Sequence, residues 1–315
     1  SNVTTICTWA SRERRNDMKH LFLINPAAGS RDRTLVCSSA IVKFCNGLDY
    51  RVEISQKPGD CQRLAREAAE TGEEYRIYAC GGDGTLNEVV SGAAGFPNAA
   101  VTAWAGGSGN DFVRLFSEPR AFQHLERLLD ADEAQFDLIR CNDALALNIC
   151  SVGLDARIGT DVASYKRLPL LQGFSAYAAS AVVNVIRGVS QPLRVELCGK
   201  VIDEEMTMVC VCNGRYYGGG FYAVPEADPT DGVLDVLLVK KITRRQVPGL
   251  IGKYKAGRYK ELPEYITHYR TDFLTIHSPT PTAVNLDGEL RMETDIRMSV
   301  AEEKVRFFYP KGLTW

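Results

Sequence analysis

The sequence predicts an α/β plus β protein, a parallel α/β domain followed by a β-rich domain. Three observations carry that expectation. From His20 to about Leu129, short apolar runs alternate with segments of helical spacing. After Phe136 the texture changes and strand-like runs crowd together. A glycine cluster, Gly81-Gly82-Asp83-Gly84-Thr85, sits where a strand-like run gives way to a helical one.

Residues 1–18 read as a peripheral N-terminal extension, because residues 3–17 lack the apolar core of a signal peptide. Leu21–Ile24, Tyr50–Ile54, Arg76–Cys80 and Ala100–Trp104 then read as strands, with helices over 32–46, 60–70 and 86–93. Such a series builds a parallel sheet with helices on both faces, whose ligands bind beyond the carboxyl ends of the strands. The domain boundary falls near Ala134. Beyond it, strands are expected over 136–141, 144–152, 193–198, 201–212, 233–239, 272–278, 283–286 and 296–308. Helical segments near 172–188 and 243–256 interrupt them. Short strands spaced by turns suggest a β-sandwich or barrel.

Composition narrows the classes. The 315 residues are 45% hydrophobic and 24% charged, as expected of a globular protein of about two domains. A net charge of −2 argues against a nucleic-acid binder. Arg12–Arg15 and Arg244-Arg245 read as solvated surface. The ten cysteines include no CxxC pair, and Cys80, Cys150, Cys210 and Cys212 lie inside apolar runs, so buried free thiols in a reducing cytosol are expected. No run approaches the ~18 apolar residues of a membrane span.

The chemistry-bearing residues gather in glycine-rich blocks. Asn25-Pro26-Ala27-Ala28-Gly29, Gly81–Thr85 and Gly106–Asp111 each follow a predicted strand, so their backbone N–H groups can converge on a phosphate. Asp83 makes sense there if a divalent cation bridges it to phosphates; a βα turn serving geometry alone would not require it. In Gly107-Ser108-Gly109-Asn110-Asp111, Asn110 can cap a following helix and Asp111 adds a carboxylate, or the block is simply a capped junction. Asp287-Gly288-Glu289 is either a hairpin turn or a pair of carboxylates, one for a metal and one to accept a proton. Gly218-Gly219-Gly220 marks tight bends, and Asp231-Gly232 either turns the chain or holds a cation. No Gly-Lys-Ser/Thr motif occurs.

In this order the blocks resemble the diacylglycerol kinase catalytic family, which includes soluble bacterial lipid kinases and sphingosine kinases, from about Lys19 to Pro310. Gly153-Leu154-Asp155-Ala156, Asn213-Gly214, Leu234 and Arg114 add to the match. The resemblance implies a Rossmann-like domain of NAD kinase/diacylglycerol kinase type over 19–134 and 303–315, and a β-sandwich lipid-substrate domain over 135–302. It implies transfer of the γ-phosphoryl group of ATP to a lipid hydroxyl, with Mg²⁺. By position, Asp83, Asp111 and Glu289 look like magnesium ligands and Asp287 like the general base. Asn25, Pro26, Gly29, Gly81, Gly82, Gly84, Thr85, Gly107, Ser108, Gly109 and Asn110 look like the nucleotide-binding set. Asp231, with Val233, resembles the place of a second, structural magnesium in some bacterial members.

Two departures stand out: Ala105-Gly106-Gly107-Ser108 replaces Pro-x-Gly-Thr, and the basic cluster after the first loop is Ser30-Arg31-Asp32-Arg33. Residues 164–188, with Lys166, Arg167, Leu168, Leu170, Leu171, Phe174 and Tyr177, either meet a membrane surface or pack on the β-domain. The expected place of work is cytoplasmic and peripheral at the inner membrane surface. A lipid at that surface is the expected partner, and the oligomeric state stays open, a homodimer being one option. The competing readings are an NAD kinase-like enzyme acting on a soluble nucleotide and a non-catalytic nucleotide- or lipid-binding regulator.

Overall fold

The computed structural model describes residues 18–29, 32–107, 109–154 and 190–315. The extension over 1–17, Ser30, Arg31, Ser108, Asp155, Ala156 and the whole segment 164–188 lie outside the described residues. The chain forms two compact units. The first comprises residues through Gly107, Phe116–Phe136 and Lys304–Trp315; the second comprises Ser108–Leu115 and Asp137–Glu303.

In the first unit, β1 (Lys19–Ile24), β2 (Tyr50–Ile54), β3 (Tyr75–Gly81), β4 (Ala99–Ala105), β5 (Ala131–Phe136) and β17 (Val305–Pro310) form one sheet in the order β2-β1-β3-β4-β17-β5. All neighbours are parallel except β5, which runs antiparallel to β17. Strands β1, β3 and β4 are almost wholly buried, as parallel strands covered on both faces must be. Helices α1 (Thr34–Phe44), α2 (Asp60–Glu70), α3 (Asp83–Ala93) and the short α4 (Leu125–Leu129) belong to this unit.

Helix α2 buries Cys61, Ala65, Ala68 and Ala69 on one stripe, and small residues let α3 approach closely. A Cβ on Gly92 would lie 2.2 Å from the carbonyl oxygen of Gln62. Phe22 stacks on Tyr78 at 4.3 Å between ring centroids, and Tyr78 meets Phe308 edge-on at 5.1 Å, tying β1, β3 and β17 into one aromatic core.

The second unit contains β6 (Ile139–Cys141), β7 (Ala144–Ala146), β8 (Ile149–Gly153), β9 (Gln191–Leu197), β10 (Lys200–Cys212), β11 (Tyr216–Tyr217), β12 (Phe221–Tyr222), β13 (Leu234–Lys240), β14 (Ile266–Thr271), β15 (Phe273–Leu286), β16 (Glu289–Val300) and α5 (Val247–Lys255). Nine of these strands form one antiparallel sheet. The long strands β10 and β15 each pair with both β8 and β9, so the sheet folds over on itself around Val152, Val195, Val209, Val236, Leu274 and Val284.

Several expected boundaries shift. The run 136–141 splits at Asp137, ending β5 in the first sheet and starting β6 in the second. The run 296–308 splits likewise, because Ala301 donates its N–H to the carbonyl of Leu138 and the chain leaves the second sheet before β17. The runs 272–278 and 283–286 join as one strand, β15, with an irregularity between His277 and Thr282. Cys80, Cys150, Cys210 and Cys212 are buried and form no disulfide, as expected.

Strand β1 also buries a titratable group. His20 bonds the Tyr78 hydroxyl (2.9 Å) and stacks on its ring, and burial, with Arg76 nearby, pushes its imidazole down to about 4 from 6.5. The unfolded chain therefore binds the extra proton between these two values, and the native state does not. Stability is fully present above pH 6.5 and is lost as pH falls towards 4, by about 3 kcal/mol. Urea midpoints at pH 7 and pH 4.5 should diverge in the wild type and converge in His20→Phe; an unchanged pH dependence in that variant refutes the role.

Candidate active site

The strand order of the first unit reverses between β1 and β3, since β2 lies to one side of β1 and β3 to the other. A crevice opens at such a reversal, beyond the carboxyl ends of the two strands. The two loops that flank it are Asn25–Gly29 and Gly81–Thr85. Asn25 joins them: its Nδ2 donates to Thr85 Oγ1 (3.0 Å), and its Oδ1 accepts from the N–H of Ala27 (3.0 Å). The third loop closes on the same place. The N–H groups of Gly106 and Gly107 both donate to the Gly81 carbonyl, at 2.8 and 3.0 Å.

Glycine is required here by contact as much as by conformation. Gly29 has φ +80°, and a Cβ on it would lie 2.8 Å from the Gly106 carbonyl oxygen. A Cβ on Gly81 would lie 2.3 Å from Thr85 Oγ1. At Gly82 the only near neighbour is the Cα of Gly107 at 3.3 Å, and at Gly84 nothing lies within 4 Å. Half-buried Asp83 is the first residue of α3, at the positive end of its dipole. The three loops thus bring Asn25, Pro26, Gly29, Gly81–Thr85 and Gly107 to one edge of the sheet.

Two further side chains support that edge. Arg33 donates from Nη1 to the carbonyl of Ala105 (3.0 Å), which puts a guanidinium beside Gly106. This is the cation of the altered basic cluster, and it reaches the third loop. Glu88, five residues along α3 from Asp83, accepts from the N–H groups of Gly59 and Cys61 at 3.1 and 3.2 Å. It caps the start of α2, so α3 is oriented by backbone groups 29 and 27 residues before Glu88. Sequence reading missed Glu88 because its partners are distant in the chain.

In the second unit two glycine blocks that looked independent meet. Asp111 is buried, and its Oδ2 accepts the N–H of Gly219 (2.7 Å). Gly218, Gly219 and Gly220 all have positive φ, which explains the consecutive glycines. Arg114 pairs with Asp111 Oδ1 (3.3 Å) and donates to the Gly109 carbonyl from Nε and Nη2. Asn110 has φ +50° and leads into a single 3₁₀ turn, Phe112–Leu115, where the sequence suggested a capped helix. Arg114 folding back onto Gly109 and Asp111 closes that turn early.

Asp287 is buried with φ +49°, and both its carboxylate oxygens accept backbone N–H groups. Oδ2 takes Leu147 (2.7 Å) and Asn148 (2.9 Å); Oδ1 takes Ile149 (2.7 Å). Glu289 is exposed and pairs with Arg291 (3.2 Å), which also reaches Asp143. Asn213 donates to the carbonyls of Asp137 and Leu147, and Asn148 to that of Tyr216, so the Asn-Gly block is a scaffold for the start of β8. Among the described residues no three His, Cys, Asp or Glu side chains form a metal-binding group.

An apolar cavity of about 90 Å³, partly open to solvent, also lies in the second unit. Among the described residues, Met208, Phe221, Val239, Leu250, Tyr254 and Ile266 line it with eight others. The hydroxyls that line it have partners: Tyr217 and Tyr254 bond each other at 2.9 Å, Tyr265 accepts from Gln246 (3.0 Å), and Thr207 donates to the Lys240 carbonyl (3.0 Å).

Comparison with known proteins places this geometry. Residues 19–141 match the diacylglycerol kinase catalytic domain, and residues 148–309 match the YegS C-terminal NAD kinase beta sandwich-like domain. The chain belongs to the diacylglycerol kinase catalytic family. Candidate lipid kinases of Staphylococcus carnosus and Staphylococcus epidermidis are each 24% identical to it, covering 86% and 85% of this chain and 89% and 88% of their own. In fold it is similar to the crystal structure of a candidate diacylglycerol kinase from Bacillus anthracis, with a TM-score of 0.72 and 21% identity over 93% of this chain and 97% of the other. The family's α/β domain and β-rich domain correspond to the two sheets described above.

For this lipid kinase relative, Gly82→Ala is the sharpest probe of the cradle. Its φ of −103° suits any residue and its Cβ meets only Gly107, so the fold should survive with Tm within about 2 °C. Nucleotide affinity should fall at least about tenfold, as the methyl enters the space between the loops. Isothermal titration with ATP checks this, and unchanged affinity would move the phosphate site elsewhere.

Proposed function

We propose that this chain transfers the γ-phosphoryl group of ATP to the hydroxyl of a membrane lipid, diacylglycerol or a related alcohol. The observation that carries the lipid half of this reading is the cavity of the second unit. The hydroxyls of its lining are already bonded, which leaves an apolar surface suited to an acyl chain. A second nucleoside would need unspent donors and acceptors for its ribose, which weighs against an NAD kinase-like acceptor.

The phosphate half rests on the first unit. Backbone N–H groups from glycine loops at a topological switch point, and the N-terminus of α3, suit a polyphosphate. Magnesium fits the donor set, because it is commonly held by one or two carboxylates plus substrate phosphates, with no all-protein cage. Asp83 would hold it in the first unit, and when bound it neutralises charge on the phosphates; Asp111 and Glu289, which the family resemblance also implies, would have to give up Gly219 and Arg291 to serve as ligands.

Asp287 is proposed to orient the acceptor hydroxyl and take its proton. Three backbone N–H donors fix its carboxylate in one orientation, which suits positioning in a reaction that depends on alignment. The lipid would be met at a membrane surface by a peripheral protein. No helix among the described residues is long and apolar enough to cross a membrane.

Radiolabelled phosphate from ATP should enter a lipid extract and not NAD; the reverse result overturns the proposal. Asp83→Asn should abolish turnover with the fold intact. Leu250→Trp, which fills the cavity, should raise KM for lipid about tenfold and leave KM for ATP unchanged. Asp287→Asn should lower kcat by about 10²–10⁴-fold without raising the magnesium requirement. Glu289→Gln should raise that requirement. A Glu289 variant that responds as Asp287→Asn does would exchange the two roles.

A further inference from the structure

Family resemblance implies a second, structural magnesium at Asp231 and Val233, and the residues around that turn do not fit one. A divalent cation needs oxygen lone pairs aimed at a common point. Here both oxygens of Asp231, the one carboxylate the resemblance names, are directed elsewhere, and an oxygen left over, Asp235 Oδ2, is buried in the following strand. Asp231 Oδ1 accepts the N–H of Val233 (3.0 Å), and Asp231 Oδ2 is bonded by Arg270. Asp137 Oδ2 accepts the N–H of Gly232 (2.8 Å). Asp228 Oδ1 accepts both the N–H (3.0 Å) and the hydroxyl of Thr230 (2.7 Å).

The charge that a metal would supply is present in another form. Asp235, 1% exposed, stands directly opposite Arg270 in the antiparallel register of β13 and β14. Its Oδ1 lies 3.6 Å from Arg270 Nε and 2.6 Å from His268 Nε2. Arg270 therefore lies between two carboxylates, one in the turn and one buried in the strand that follows it. Cross-strand register fixes its position, so this cation cannot dissociate as an ion can.

We propose that Arg270 stands in for the structural divalent cation at the Asp231–Val233 turn, so that this chain holds the turn by an internal ion pair and binds no metal there. The guanidinium carries one charge where magnesium carries two; its Nη2 bonds Asp231 while its Nε lies 3.6 Å from Asp235. Stability of the second unit is then independent of divalent ions, and arginine and metal are alternatives for the same carboxylates.

The test is thermal unfolding without nucleotide, in chelator and at millimolar Mg²⁺, for wild type, Asp231→Asn, Arg270→Ala and the double variant. Wild-type Tm should be the same in both buffers to within about 1 °C. Arg270→Ala should melt about 3 °C lower in chelator, recover most of that loss in Mg²⁺, and lose the recovery when Asp231→Asn is added. A wild-type gain in Mg²⁺ that Asp231→Asn removes would show metal and arginine together, and would overturn the proposal. So would an Arg270→Ala variant with an unchanged Tm, or one that Mg²⁺ fails to restore. Should Arg270→Ala not fold, Mn²⁺ binding by wild type and Asp231→Asn decides the matter: equal numbers of bound ions support the exchange, and one fewer in Asp231→Asn overturns it.

Discussion

The first unit's site depends on Thr85 occupying the space that a side chain at residue 81 would need. A Cβ there would lie 2.3 Å from Thr85 Oγ1 and 2.6 Å from Thr85 Cβ, a clash that no rotamer of a buried threonine relieves cheaply. With Gly81 bare, Thr85 folds onto the end of β3 and receives the Asn25 amide from the end of β1. That one hydrogen bond spans the point where the strand order reverses. It holds two loops whose backbones must both face outward, and the Gly81 carbonyl gathers the third through Gly106 and Gly107. Conformational freedom is therefore low at Gly81 despite its lack of a side chain.

Much of the fold was legible because the pattern itself has a mechanism. Continuous apolar runs marked β1, β3 and β4, and helix α2 was placed over its observed bounds, 60–70, because its alanine stripe has helical period. What escaped were decisions made by distant partners. Nothing local says that the chain changes sheets at Asp137, since the N–H of Asp137 is claimed by Pro229 and its carbonyl by Asn213. The two carboxylates of the Asp287-Gly288-Glu289 block looked alike in sequence. Their surroundings separate them, one buried under three N–H groups and the other exposed beside Arg291.

The glycine and acidic blocks thus do two jobs that sequence alone cannot divide. Asp111 looked like chemistry and Gly218–Gly220 like geometry, yet the carboxylate and the glycine backbone are partners at 2.7 Å. Asn213-Gly214 is similar: a Cβ on Gly214 would lie 2.1 Å from Asn148 Oδ1, so the glycine exists to admit the asparagine that braces Tyr216. Buried polar groups must find partners, and here they find them in the backbone of the loops that shape the site. A substitution in either class disturbs both.

The same logic explains where an apolar cavity can persist. Strands of a simple sandwich alternate buried and exposed residues. The structure shows Met206–Cys212 of β10 and Leu234–Val239 of β13 buried at every position, so both faces of these strands are covered. One face joins Val209, Val211, Val236 and Leu238 in the interior of the folded sheet, where opposing strands interdigitate. The other face presents Met208, Cys210, Leu237 and Val239 to α5 and the irregular segments after it. A helix with a single buried residue, Tyr254, cannot fill such a surface as completely as a second sheet can. The failure of period two in β10 and β13 is therefore the sequence's own mark of a second apolar layer, and that layer holds the cavity.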